Sequence, residues 1–93
     1  MASFTTRVEL HGADWSDYEK LHTQMAAQGF SRIITASDGK RYWLPPAEYN
    51  YEAKATQAEV LAKAKAAASQ VKTRFAVFVT EAGGRTWYGL EAA

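Results

Sequence analysis

The chain has 93 residues, of which 47% are hydrophobic, 13% aromatic and 23% charged. This size and composition predict a single folded domain over residues 1–93 and exclude the low-hydrophobicity signature of a disordered chain. The sequence contains no cysteine, which excludes a disulfide framework, a zinc–thiolate site, an iron–sulfur cluster and a cysteine nucleophile.

The charges are nearly balanced overall but unevenly distributed. The formal net charge is +1, far below that of a dedicated duplex binder. Residues 1–31 are mainly acidic, and residues 32–85 are mainly basic. The first residues do not resemble a secretory signal, and no apolar stretch is long enough to span a membrane, so we expect a cytoplasmic protein without membrane contact.

The first third of the chain predicts a strand and a helix. Residues 4–11 alternate between apolar and polar side chains, which is typical of a strand with one covered face. Ser16 and Glu19 have the spacing of a capping box, which predicts the start of a helix with Trp15, Leu21 and Met25 on its apolar side. Gly29 is expected to end this helix.

A hairpin follows in the middle of the chain. The β-branched run at residues 32–36 and the Asp38-Gly39 turn predict a strand that returns over residues 41–44. Pro45 and Pro46 interrupt ladder pairing. Residues 48–53 then form either a bulged continuation or a separate edge strand, and the continuation is favoured.

The last third predicts a second helix and a buried strand. Thr56 and Glu59 repeat the capping-box spacing before a narrow stripe of small apolar residues that includes Leu61. Residues 74–80 are apolar on both faces, which favours a strand near the centre of the sheet. Residues 86–90 predict a short final strand.

These elements give a fold class. The order β-α-β-β-α-β, with a possible extra C-terminal strand, predicts an α+β domain of ferredoxin-like split βαβ type, in which two helices cover one face of an antiparallel sheet. The other face must then meet solvent, a second copy or a ligand.

The two histidines are the residues available for acid–base chemistry. His11 lies near Asp14 and Glu9 at the end of the first strand, but such turn residues more often act as caps. His22 lies at the margin of the first helix's apolar side, where a half-buried structural histidine is the favoured interpretation. Neither group has metal-ligand spacing, so we expect no metal and no cofactor.

Basic and aromatic residues around the hairpin are candidates for RNA contact: Arg32, Lys40, Arg41, Tyr42 and Trp43. Charge beside stacking surface is typical of single-stranded nucleic-acid binding. The alternative interpretation is that charged hairpin tips keep sheet edges soluble and that alternate aromatics are buried.

Further aromatic residues exceed what two small helices need to cover: Tyr49, Tyr51, Trp87 and Tyr88. They are consistent with self-association or a peptide-binding edge, although core packing accounts for at least half of them. The Gly83-Gly84-Arg85 loop lacks the glycine spacing and following helix of a phosphate-binding loop, so no chemistry is assigned to it.

Several of these features together resemble the GhoS family: Leu21 and Met25 on the first helix, residues 30–33, the Asp38-Gly39 turn, Leu44-Pro45 and an aromatic strand at Tyr49. That family comprises antitoxins of type V toxin–antitoxin pairs, described as endoribonucleases that cut the toxin's messenger RNA. The resemblance spans about residues 4–80 and implies a ferredoxin-like fold. The position at which the family is thought to place a functional arginine falls at His22 here, and residues 84–90 have no evident counterpart.

Two hypotheses for function follow. The first is a GhoS-like antitoxin that binds single-stranded RNA and, if it is an endoribonuclease, uses His22 or His11 as acid and base with Arg32 or Arg41 stabilising the phosphorane. The second is a non-enzymatic, dimerising or protein-interaction module, of phage-related type. A small-molecule enzyme is disfavoured because one covered sheet face leaves little volume for a closed pocket.

Overall fold

The computed structural model describes residues 2–93. Its helices and strands are, in chain order, β1 (Ala2–Leu10), α1 (Trp15–Ala27), β2 (Ile33–Thr35), β3 (Arg41–Trp43), β4 (Glu48–Ala53), α2 (Gln57–Ser69) and β5 (Phe75–Glu81).

The strands form an antiparallel arrangement with β1 at its centre. β4, β1 and β5 make a three-stranded sheet in that order, and β2 pairs with β3 in a hairpin. A bridge between Ser31 and Asn50 joins the hairpin to β4. Both helices contribute to one core with the inward residues of β1, so the α+β, ferredoxin-like split βαβ fold is confirmed.

The core lies between the helices and one face of the sheet. Phe4 and Val8 of β1 are fully buried with Leu21 and Met25 of α1. α2 presents Val60 and three alanines to the same cluster, and these small side chains let the helix approach β1 and β5 closely. Leu61 is exposed, so its predicted place in the apolar stripe is wrong.

The two helices begin with different caps. At α2 the predicted capping box of Thr56 and Glu59 is confirmed. At α1 the prediction of Ser16 and Glu19 is wrong, because Asp14 and Asp17 exchange the same reciprocal bonds two residues earlier. The Ser16 hydroxyl donates to Asp14 Oδ1 at 2.7 Å, and this bond helps to hold the pKa of that carboxyl below its usual value. Trp15 is 61% exposed, so its predicted place on the apolar side of this helix is wrong.

Pro45 and Pro46 separate two strands that the sequence analysis favoured as one. β3 pairs with β2, whereas β4 pairs with β1 and lies at an edge of the three-stranded sheet. The favoured continuation is therefore wrong, and the alternative of a separate edge strand is confirmed. Proline lacks the backbone N–H that a continuous ladder requires, which explains the break.

β5 lies at an edge of the sheet rather than near its centre. It pairs with β1 alone within the described chain, so its predicted central position is wrong. Val77 and Val79 are half-buried against the core, whereas Phe78 points to the opposite face and is 70% exposed. The apolar residues on both faces therefore do not reflect burial on both faces.

The C-terminal segment does not form the predicted strand over residues 86–90. Ala92 instead makes an isolated bridge with Tyr42, and the segment before it lies against the face of the sheet that the helices leave open. Backbone bonds from Trp43 N–H to the Glu91 carbonyl and from Ala93 N–H to the Arg41 carbonyl, both 2.9 Å, attach it to β3. Part of the open face is thus covered by the chain itself.

Gly29 at the end of α1 has a conformation that disfavours side chains. Its φ is +94°, and an added Cβ would lie 3.2 Å from Tyr51 Cε1. We expect Gly29→Ala to lower the free energy of unfolding by about 1–2 kcal/mol, measured by urea denaturation. Gly83→Ala is the matched control, because its added Cβ meets nothing within 4 Å and its φ is not in the left-handed region. Equal stability of the two variants would contradict this account.

Candidate nucleic-acid interface

Arg32 and Trp43 form the centre of the candidate site. The guanidinium carbon of Arg32 lies 5.5 Å from the centroid of the Trp43 ring, within the range of a cation–π contact. Trp43 is 40% exposed, and Arg32 is half-buried with no hydrogen-bond partner for its Nε within residues 2–93. A stacked guanidinium thus retains an unused donor beside an accessible indole.

These two side chains line a groove of about 490 Å³ between the hairpin and the C-terminal segment. We call it the Arg32–Trp43 groove; its lining residues are Arg32, Trp43, Leu44, Pro45, Pro46, Gly89, Leu90 and Glu91. Its volume lies within the range of ligand-binding pockets. The bond from Leu44 N–H to the Arg32 carbonyl, 2.7 Å, and the attachment of Glu91 to Trp43 hold its two walls together.

The other predicted RNA contacts are divided between two sides of the hairpin. Lys40 and Arg41 are exposed at its tip, and Arg41 alternates with Trp43 along β3, so both project to the same side. Tyr42 projects to the other side, where its ring centroid lies 5.6 Å from that of Trp87. The structure therefore brings Arg32 and Trp43 into contact, places Arg41 on the side to which Trp43 projects, and places Tyr42 on the opposite side.

His22 is half-buried and contacts the core through Tyr49. Its Nδ1 lies 2.5 Å from the Tyr49 hydroxyl, and its Nε2 is buried without a hydrogen-bond partner in the described chain. Burial first, and the positive charge of Arg32 second, lower the pKa of His22. Burial raises the pKa of Tyr49 above its usual range, so the phenol stays protonated. The pair is therefore neutral at physiological pH.

His11 lies elsewhere in the fold. It is exposed just beyond β1, and its backbone N–H donates to the Arg74 carbonyl at 3.0 Å. His22 contacts Tyr49, which pairs with Thr6, five residues before His11 and about 16 Å away along an extended strand. The structure does not bring the two histidines together as one acid–base pair.

The sequence analysis did not identify Arg85, whose Nε and Nη2 are buried without hydrogen-bond partners among residues 2–93. Trp87 lies in the same C-terminal segment, and both line cavities next to the hairpin. The excess of aromatic residues in this segment was the sequence signal that could have pointed to these cavities. A loop that lacks a known phosphate-binding motif gave no reason to single out its arginine.

Within residues 2–93 no group of three or more His, Cys, Asp or Glu side chains is arranged to hold a metal ion. None of the described helices is long and apolar enough to cross a membrane. Comparisons with protein-family models, with curated proteins and with solved structures give no match.

Proposed function

We propose that this protein binds single-stranded RNA in the Arg32–Trp43 groove. The observation that supports this most directly is the contact of the Arg32 guanidinium with the exposed Trp43 indole. Arginine planes and aromatic faces are the surfaces on which proteins stack unpaired bases. A base stacked at Trp43 would bring its phosphate toward the Arg32 guanidinium.

The charges around Arg32 favour an anionic ligand. The salt bridges of the described chain, Arg7–Glu48 and Lys72–Asp17, do not include it. A partly buried guanidinium without a carboxylate partner is costly, and a phosphate oxygen supplies the missing acceptor. Glu91 also lines the groove, but it is exposed and forms no ion pair with Arg32.

Lys40 and Arg41 extend the positive surface from the groove to the tip of the hairpin. Both side chains are exposed, so they can contact phosphates without burial of their charge. Such contacts add sequence-independent affinity that falls as salt rises. The proposal includes a cytoplasmic location, because messenger RNA is found there.

The proposal concerns binding and not cleavage. His22 Nδ1 contacts the Tyr49 hydroxyl, and His22 Nε2 is buried. His11 lies beyond the end of β1, away from His22. Neither histidine therefore has a free nitrogen beside Arg32. The antitoxin role and the toxin messenger RNA as target, both implied by the GhoS resemblance, stay predictions. RNA binding is necessary for both of them but does not establish either.

Arg32→Ala tests the proposal. We expect it to weaken the binding of a fluorescein-labelled oligouridine by about tenfold, because hydrogen bonds to charged groups contribute about 1.5–3 kcal/mol. The measurement is fluorescence anisotropy at low and at physiological salt.

Arg74→Ala is the matched control, since it removes the same charge from an exposed residue outside the groove. We expect it to change affinity by about twofold or less through the general salt-dependent term. The proposal fails if wild-type protein does not bind the oligonucleotide, or if the two variants bind it equally well.

Self-association through β5 is a second candidate function. The outer edge of β5 pairs with no strand of the described chain, and Phe78 stands exposed beside Ala76 on the face away from the helices. An unpaired edge with an exposed aromatic side chain is a template for pairing with another strand. A second copy could extend the sheet through its own β5.

Sedimentation velocity over a range of protein concentrations tests this candidate. We expect wild-type protein to shift from monomer to dimer as concentration rises, and Phe78→Ser to remain a monomer because it removes the apolar contact. Arg74→Ala serves here as a surface control next to the same strand. A wild-type chain that stays monomeric at the highest concentration would rule out the interface.

A further inference from the structure

Arg85 follows β5 in the loop that leads to the C-terminal segment, and its guanidinium is turned inward. Two of its nitrogens, Nε and Nη2, are buried, and neither has a hydrogen-bond partner in the part of the chain that the structure describes. The N–H bonds of these two nitrogens point in the same direction and form the side-on edge of the guanidinium. This edge matches two oxygens of one oxyanion.

The protein itself supplies no counter-charge for this edge. The salt bridges among residues 2–93 do not include Arg85. Glu48 lines part of the same region, but its carboxylate lies 3.5 Å from Arg7 Nη1. Arginine remains charged at all physiological pH values, so burial without an acceptor is unfavourable unless a ligand provides one.

The space around Arg85 is large enough for such a ligand. Two cavities of about 420 and 370 Å³ adjoin there and share four lining residues, Ile34, Arg85, Thr86 and Trp87. We call this space the Arg85 cleft. It lies between the C-terminal segment, β2 and the open face of the sheet, which contributes Ser3 and Thr5.

Residues with hydroxyl groups line the cleft together with the arginine. Ser3, Thr35, Ser37 and Thr86 line one of the two cavities together with Arg85. Serine and threonine hydroxyls donate hydrogen bonds to phosphate oxygens. A carboxylate has two oxygens, and both would face the side-on edge of Arg85. A phosphate has further oxygens that can accept from the hydroxyls.

We infer that the Arg85 cleft binds a phosphate group, and that the Arg85 side chain turns in the cleft so that Nε and Nη2, which have almost no accessible surface, meet two oxygens while neighbouring hydroxyls meet the others. The site goes beyond the proposed function and does not depend on it. It differs from the Arg32–Trp43 groove in its arginine and in its tryptophan, although Leu44, Pro45 and Leu90 line both spaces. The phosphate can belong to an RNA chain or to a free phosphate compound.

Titration of the ¹⁵N-labelled protein with inorganic phosphate, against sodium chloride at equal ionic strength, tests the inference by NMR. We expect saturable shifts of the Arg85 Nε–H and Trp87 indole signals in phosphate and not in chloride. Arg85→Lys keeps the charge but removes the side-on pair of donors, so we expect phosphate binding, followed at the Trp87 signal, to weaken by about tenfold or more.

A control variant tests whether the effect is specific to Arg85. Arg74→Ala removes the charge of an exposed residue outside both spaces and is expected to bind phosphate as wild-type protein does, and the remaining amide signals of Arg85→Lys show whether that variant is folded. Titrations with oligouridine then assign the source: weaker oligouridine binding by Arg85→Lys identifies an RNA phosphate, and unchanged binding identifies a free phosphate compound. The inference is overturned if wild-type protein shows no saturable shift, or if folded Arg85→Lys binds phosphate equally well.

Discussion

Replacement of Trp43 by alanine is expected to weaken oligouridine binding by about tenfold or more, because stacking of one base on an aromatic side chain contributes about 1–3 kcal/mol. Trp43 is 40% exposed beside Arg32, so the variant removes stacking surface without opening the core. Fluorescence anisotropy at fixed salt measures the effect. The salt dependence of binding should stay nearly unchanged, since no charge is lost.

Trp15→Ala is the matched control for Trp43→Ala. Trp15 is 61% exposed at the start of α1 and does not line the Arg32–Trp43 groove. We expect this variant to bind oligouridine with wild-type affinity. If Trp15→Ala lowers affinity as much as Trp43→Ala does, RNA does not bind in the groove.

Phe4→Ala is expected to have the largest effect on stability, a loss of about 3–5 kcal/mol in the free energy of unfolding. Phe4 is fully buried in β1 between the helices and the sheet, and its ring packs against Tyr51 at 6.4 Å between centroids. Truncation leaves a cavity in a domain whose total stability is itself only about 5–15 kcal/mol. Urea denaturation followed by circular dichroism measures the loss.

Phe78→Ala makes the same chemical change on the opposite face of the sheet. Phe78 is 70% exposed on β5, next to the strand that carries Phe4. At concentrations where the protein is monomeric, we expect this variant to change stability by about 1 kcal/mol or less. Similar losses in the free energy of unfolding for Phe4→Ala and Phe78→Ala would mean that the helices do not cover the face of the sheet that carries Phe4.

The fold could be predicted from the sequence because its local signals agree with one another. Three of these signals depend on neighbouring residues: the cap at Thr56, the Asp38-Gly39 turn and the alternation along β1. The structure contains all three features. The start of α1 shows the limit of such signals. Two capping patterns overlap there, and only the structure shows that Asp14, rather than Ser16, accepts the N–H of the first turn.

The place of β5 could not be predicted because it depends on strand order. An apolar run shows which residues prefer burial, but it does not show which strand lies on each side. Phe78 contributes to the run and is nevertheless exposed at an edge. The same limit applies to residues 86–90, whose aromatic pattern predicted a strand, although the C-terminal segment forms backbone hydrogen bonds with β3 only at Glu91 and Ala93.

The candidate site was predicted in part. Arg32 directly precedes β2 and Trp43 ends β3 of the same hairpin, so proximity in sequence was sufficient to group them. Arg85 lies beside the hairpin only because the C-terminal segment folds back across the open sheet face. That contact joins residues far apart in sequence, and no local motif at Arg85 indicates it.

The three tryptophans provide the most direct test of RNA binding in the groove. Each indole N–H gives its own signal in a ¹⁵N-correlated NMR spectrum, and Trp43 lines the groove whereas Trp15 does not. On addition of oligouridine we expect the Trp43 signal to shift and saturate while the Trp15 signal stays in place. Saturable shifts at Trp15 without any at Trp43, or no shift at all, would contradict the proposed function.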